Sequence, residues 1–470
     1  MPSDRPRRSV GGRAKVDTMT FTGFHLERVA VAEHHDQLES LTWARVRWPI
    51  GAGSATHVRT AVGEVDSIAV PTYPLAAWIV QNWWSLLYEL APASNSGNDG
   101  ADVPLDRVPW AWRSRHCLRI ADSSLLLPDL RVCSAGPTVT WKVHADADRY
   151  AIGGQQLQFL DSLVASAERD KAAAALGDFV AWTLAQLGSC ELDEASSLRE
   201  KWDFIAKTPA RGPDAEFCRA AGRMGLDPHD VEHWPAGLCE WLEAAPSGTL
   251  DQAFLVDLQS VTGDVDDLPG LDRALRELVA RYEVGAGCGI RTAAGAPGSS
   301  TSGLAWQKGY ERAAQLRHDA RLTDGAPADD LAAVVFAGAG VTLRSSVELQ
   351  TRAPVSAIAG WSGGTIRLLA RDRLAGRRAA ERFALARGVH HALWACEQGP
   401  RLVSDVLDED QRASRAFAAE LLAPRGAVLR AVEQRRREMP VADAMAEVAA
   451  LYSVEDRVVG RQYWNAVQGR

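Results

Sequence analysis

Arg382-Phe-Ala-Leu-Ala-Arg-Gly-Val-His-His-Ala-Leu393, followed by Asp410-Gln-Arg-Ala-Ser-Arg-Ala-Phe-Ala-Ala-Glu-Leu-Leu-Ala-Pro424, carries the reading of this chain. Phe383, Arg387 and His391 recur at i, i+4 and i+8, which places them on one face of a helix. In the second segment Asp410, Ser414, Phe417 and Leu421 share a face. Pro424 closes that helix because it has no N–H with which to continue it.

Together the two segments resemble the ImmA/IrrE family of zinc endopeptidases. The family reads roughly R-F-x-L-A-H-E-x-G-H-x-L, then E-x-x-A-N-x-F-A-x-x-L-L-x-P. Arg382, Phe383, Leu385, Ala386, His391 and Leu393 match the first part; Phe417, Ala418, Leu421, Leu422 and Pro424 match the second. The resemblance extends to Ala305–Arg317, similar to the family's opening helix, and to a small sheet expected at Val341–Leu343, Ala357–Ala359 and Thr365–Leu369. It ends in Val441–Val467, where Tyr452, Val454, Val459, Gln462 and Asn465 fit the family's last element. It implies a zincin-like α+β domain over about Leu304–Gln468.

Such a centre needs two histidines one helical turn apart, a glutamate between them to activate water, and a carboxylate from a second helix. Here Arg387 stands at the first histidine position and Gly388 at the glutamate position. Arginine stays protonated and offers a metal no lone pair. Glycine cannot act as a base. His390 does not substitute, since neighbours on a helix point about 100° apart. Counting back from Phe417, the acidic position falls on Gln411, with Asp410 one residue earlier. His391 and Asp410 are therefore the remnant metal positions, and no catalytic residue is assigned. Two arrangements compete: an Arg387–Asp410 ion pair bridging the two helices, or, favoured by the one-residue offset of Asp410, an Arg387 that reaches out to solvent.

The rest of the chain bounds the function class. Its 470 residues, 46% apolar and 24% charged, suit two or three domains with sizeable cores. A net charge of -8 does not describe a general nucleic-acid binder. The seven cysteines, at 117, 133, 190, 218, 239, 288 and 396, are scattered and odd in number, which suits reduced thiols in a cytoplasm. Residues 69–90, the greasiest stretch, contain Pro71, Pro74, Gln81 and Asn82, so no membrane span is expected.

The expected organisation is α+β and multidomain. Residues 1–15 read as a disordered basic tail without the apolar run of a signal peptide. Residues 16–150 read as a mixed α+β module. Strands are expected at Thr20–Val31, Leu41–Ile50 and Asp66–Val70, a Trp-rich core helix at Leu75–Leu90, and a hairpin at Leu130–Cys133 and Val139–Val143. Arg115, His116 and Asp122 form a candidate polar group. Residues 151–284 read as helical. Within them Pro228-His-Asp-Val-Glu-His233 has metal-like spacing, although the first turn of a helix capped by Asp227 explains it equally. The small, uncharged residues 285–303 read as a flexible linker before a 304–470 ImmA/IrrE-like domain.

Three functions follow. The first is a cytoplasmic regulatory or scaffold protein with an inactive peptidase-like domain. It would need no cofactor and would bind a repressor or the product of a neighbouring gene in stress, mobile-element or phage-related regulation. The second is an active endopeptidase in which zinc binds through His391 and Asp410. The third is DNA binding through the C-terminal helices, where Arg430, Arg435, Arg436, Arg437, Arg457 and Arg461 supply positive charge.

Overall fold

The computed structural model describes residues 23–30, 36–91, 108–146, 150–152, 155–244, 252–261, 268–285, 305–323, 325, 327, 341–347, 355–362, 365–371, 374, 377–394, 399–406 and 408–468. The expected tail and most of the linker lie outside them. The chain forms two compact units, Met1–Leu87 with Pro109–Lys207, and Tyr88–Val108 with Thr208–Arg470. Among the described residues no helix is long and apolar enough to cross a membrane.

The first unit begins with strand β1 (His25–Arg28), helix α1 (Gln37–Thr42) and strand β2 (Trp43–Arg47). Asp36 caps α1 by accepting the N–H groups of Leu38 and Glu39, at 2.7 and 3.1 Å, so Leu41 and Thr42 end a helix instead of starting a strand. In β2 the alternation holds: Ala44 and Val46 are buried, and Arg45 and Arg47 are exposed. Short strands β3 (Pro49–Ile50), β4 (Gly53–Ser54), β5 (Val58–Thr60), β6 (Gly63–Val65) and β7 (Ile68–Pro71) follow. The Trp-rich stretch forms two helices, α2 (Tyr73–Gln81) and α3 (Trp83–Tyr88). The break is at Asn82, whose side-chain amide bonds back to the Trp78 carbonyl at 2.8 Å. Trp78 and Trp83 are buried in the core.

Helix α4 (Trp110–His116) precedes the expected hairpin, β8 (Asp129–Ser134) and β9 (Thr138–His144), paired with Ser134 opposite Val139. Strands β10 (Tyr150–Ile152), β11 (Gln155–Phe159) and β12 (Leu163–Glu168) come next, then helices α5 (Arg169–Leu187) and α6 (Asp193–Lys207). The sheets are β1-β2-β7, β10-β11-β5-β6, β12-β9-β8 and the β3-β4 pair. Two expectations are corrected. Residues 155–159 and 163–168 are strands, because Leu157, Phe159, Ala165 and Ala167 follow a period of two that the helical reading overlooked. The unit boundary falls at Lys207, inside the stretch read as one helical region.

The second unit starts with helices α7 (Pro213–Arg223), α8 (Leu238–Ala244), α9 (Gln252–Val261) and α10 (Leu268–Arg281). After α11 (Ala305–Asp319) come strands β13 (Val341–Val347), β14 (Val355–Ser362) and β15 (Thr365–Arg371), helix α12 (Arg378–Trp394), strand β16 (Arg401–Ser404) and helix α13 (Glu409–Leu422). The chain ends in α14 (Arg425–Arg435), α15 (Val441–Tyr452) and α16 (Asp456–Gln468). The sheet order is β13-β15-β14-β16, parallel between β13 and β15 and antiparallel elsewhere.

Both faces of this sheet are covered. Ala359, Trp361, Ile366 and Leu368 join the core made with α11, α12 and α13, and the Trp361 indole N–H donates to the Ala392 carbonyl at 2.8 Å. Val355, Ile358, Leu369 and Leu402 join the core built by α9 and α10, with Leu258, Leu275 and Leu278. The helices before the expected linker therefore belong to the same unit as the sheet after it. Ser453 adopts a left-handed conformation, φ 50°, and ends α15.

Candidate functional site

Helix α12 lies between the sheet and α13, so residues all round it are buried, polar ones included. Arg387 is 3% exposed, and His390 and His391 are fully enclosed. Its 17 residues place Arg387 and His391 one turn apart, facing β16 and α13.

Arg387 does not reach solvent, and it does not pair with Asp410. Its Nε donates to Ser414 Oγ at 3.2 Å, and one terminal nitrogen donates to Gln411 Oε1 at 2.6 Å and to the Ser404 carbonyl. Its guanidinium also lies 3.7 Å from the carboxylate of the exposed Asp405. Asp410 pairs instead with Arg401, at 3.0 Å. The reason is helical phase: Gln411 faces Arg387, and Asp410, one residue earlier, is turned about 100° away towards β16.

Arg401 is itself a buried cation. Asp257, from α9, grips it with two bonds of 2.7 and 2.9 Å, and the same carboxylate accepts the Leu402 N–H at 2.9 Å. Burial raises the Asp257 carboxyl above its usual value against the pull of that guanidinium. Burial also opposes the charge of Asp410, but Arg401 and the other nearby cations outweigh it and hold this carboxyl below its usual range. Asp408 caps α13, accepting the Gln411 N–H at 2.6 Å; burial, with Asp257 nearby, pushes it up to about 7.

The histidines are neutral. Burial, then the Arg401 and Arg387 charges, holds His391 well below the usual imidazole range. Among the described residues, neither of its ring nitrogens has a hydrogen-bond partner. The neighbouring Gln411 favours a protonated ring, but its amide is already committed to β16 and Arg387. His390 is lowered by burial as well, and Arg312 donates to its Nε2 at 2.9 Å.

A zinc ion does not fit these residues. A guanidinium, with no lone pair for a metal, stands where the resemblance would put the first ligand, and Asp410 is turned away. At Gly388 a Cβ atom would lie 2.5 Å from Leu368 Cδ2, so the space a glutamate side chain would need is taken. Among the described residues no three His, Cys, Asp or Glu side chains come together as a metal-binding group. The 228–233 motif is not a helical turn of ligands either. Asp227 accepts the His229 N–H at 3.0 Å in a local turn, and His233 pairs with Asp230 at 2.5 Å on the surface. Arg115, His116 and Asp122 do not form one site: His116 is buried against Trp112 and bonds the Val132 carbonyl, while Asp122 holds Ser124.

Sequence reasoning missed Asp257, Arg401 and Ser404. Asp257 had a signal: it lies three residues after Phe254 and four before Val261, a lone acid on the apolar face of its helix. A scan of protein-family models, a search of curated proteins and a search of solved structures each found no match to this chain.

Proposed function

We propose that this chain is a regulatory or scaffold protein that acts by binding another protein, and that its C-terminal part is an ImmA/IrrE-like peptidase domain without peptidase chemistry. The observation that supports this most is Arg387: a buried cation, held by Gln411, Ser404 and Ser414, stands at a metal-ligand position. Gly388 leaves no side chain to activate water. The partner that suits this reading is a repressor or a neighbouring-gene product, engaged inside the cell in stress, mobile-element or phage-related regulation. The DNA-binding reading is weaker, because Arg435, Arg436 and Arg457 are engaged by Glu447, Glu433 and Glu455 at 3.1, 3.0 and 2.5 Å.

The test is metal analysis of the purified protein beside an assay of repressor cleavage. The expected result is no stoichiometric zinc, no cleavage, and a stable complex with the intact partner in native mass spectrometry. Zinc that is lost on His391→Ala, together with cleavage stopped by a chelator, would establish the endopeptidase instead.

A further inference from the structure

Strand β16 is the last strand of its sheet, and the edge of such a strand normally presents unpaired peptide groups. Here side chains occupy that edge. The Leu402 N–H donates to Asp257, and the Leu402 carbonyl accepts from Gln411 Nε2 at 2.7 Å. The Ser404 N–H donates to Gln411 Oε1 at 3.1 Å, and the Ser404 carbonyl accepts from Arg387. Across Val403, one side-chain amide thus does what the N–H and C=O of one residue of a parallel neighbouring strand do: it gives an N–H to the carbonyl before and takes an N–H from the residue after. A carboxylate at 411 has no proton to give Leu402.

The same Gln411 oxygen accepts from Arg387, so the guanidinium and the amide complete each other. Arg387 draws on α13 through Gln411 and Ser414, and on β16 through Ser404. A buried cation would otherwise be costly. Here polar acceptors on two other elements surround it.

We propose that Arg387 and Gln411 form a metal-free lock that ties α12 to α13 and β16 and closes the β16 edge to an added peptide strand. The lock stands independently of any partner, and it removes this edge from the surfaces at which a partner segment could dock.

The test is a double-mutant cycle on the full chain with Arg387→Met, Gln411→Met and both, read by thermal unfolding with and without chelator. Gln411→Met takes an acceptor from the buried Arg387 charge and leaves the Leu402 carbonyl and the Ser404 N–H without their amide, while Arg387→Met removes the donor shared by Gln411, Ser404 and Ser414, so each should lower Tm by about 5 °C or more. The double variant should fall by clearly less than the sum, and chelator should change none of the values. The Ser404 amide should exchange with solvent at least tenfold faster in Gln411→Met. Additive Tm losses, or an unchanged Ser404 exchange rate, would overturn the lock, as would a wild-type Tm that drops with chelator. If the methionine variants do not accumulate, Arg387→Lys with Gln411→Asn provides a milder cycle with the same criterion of sub-additivity.

Discussion

Asp257 and Arg401, 144 residues apart in the chain, meet as a two-bonded pair with both side chains buried, 1% and 8% exposed. The pair joins α9, on one face of the sheet, to β16. Asp410 reaches the same guanidinium from α13. Arg401 thereby holds one strand to helices from two different layers.

Removing one member of such a pair strands a buried charge. Asp257→Ala should destabilise the second unit by about 3–5 kcal/mol, because a buried guanidinium loses both of its bonds to this carboxylate. Replacing both residues, Asp257→Leu with Arg401→Met, should cost less than the single change. Urea unfolding of the three variants measures this. A double variant weaker than Asp257→Ala would show that the pair adds net stability beyond mutual neutralisation.

A second prediction concerns close helix packing. A Cβ at Gly309 would meet the Ala413 carbonyl oxygen, Ala416 Cβ and the Phe417 nitrogen, so α11 and α13 touch backbone to backbone there. The atoms in the way are mostly backbone and cannot rotate aside. Gly309→Val should cost about 1–3 kcal/mol through overpacking, despite the usual helix penalty of glycine. Gly426→Val, where the nearest atom is an arginine tip at 3.6 Å, is the control and should be far milder.

The first unit carries a pH dependence. His57 Nδ1 lies 2.9 Å from Asp161, and that hydrogen bond, more than the charges of Asp161, Asp66 and Glu64, raises the imidazole above its usual value of 6.5. A group raised on folding stabilises the protein fully below its unfolded value, and loses that contribution as pH climbs through the folded value. The first unit should therefore weaken as pH rises past 6.5. Titration of His57 by NMR should place it above that value, and Asp161→Asn should bring it down. An unchanged titration in that variant would assign the shift to other groups.

How much of this was legible in the sequence depended on whether the signal was local. The α12 and α13 faces follow from spacing alone, since Arg387, His391, Ser414 and Phe417 obey helical periodicity whatever surrounds them. The hairpin at β8–β9 was likewise written in two alternating runs and one Gly-Pro turn. Gln411 was found by counting back from Phe417, but its partners were not. They lie on a strand and on helix α12, and only the folded sheet brings them together. Asp257 failed for the same reason: its partner is separated from it by both the linker and the sheet. The helical middle misled because small and apolar residues between Gln155 and Ala167 fit two periods at once, and packing chose the shorter one.

A side chain at position 388 of α12 would not be accommodated simply. Gly388 faces the sheet, where Leu368 Cδ2 occupies the place of its missing Cβ at 2.5 Å, with Ala359 Cβ next at 3.7 Å. Alanine in a helix interior is normally favoured over glycine by about 1 kcal/mol. Here the added methyl must displace a fully packed leucine, and such overpacking costs about 1–3 kcal/mol. Gly388→Ala should therefore be destabilising in the wild-type chain. Leu368→Ala should by itself cost about 2–5 kcal/mol, because it opens a cavity in that core. In the Leu368→Ala background the obstruction is gone, so Gly388→Ala should then stabilise, recovering the helix preference and part of the lost packing. The prediction is thus a reversal of sign between the two backgrounds, measured by chemical denaturation. The same sign in both would mean that Leu368 moves aside freely and that the room for a side chain at 388 was never the obstacle.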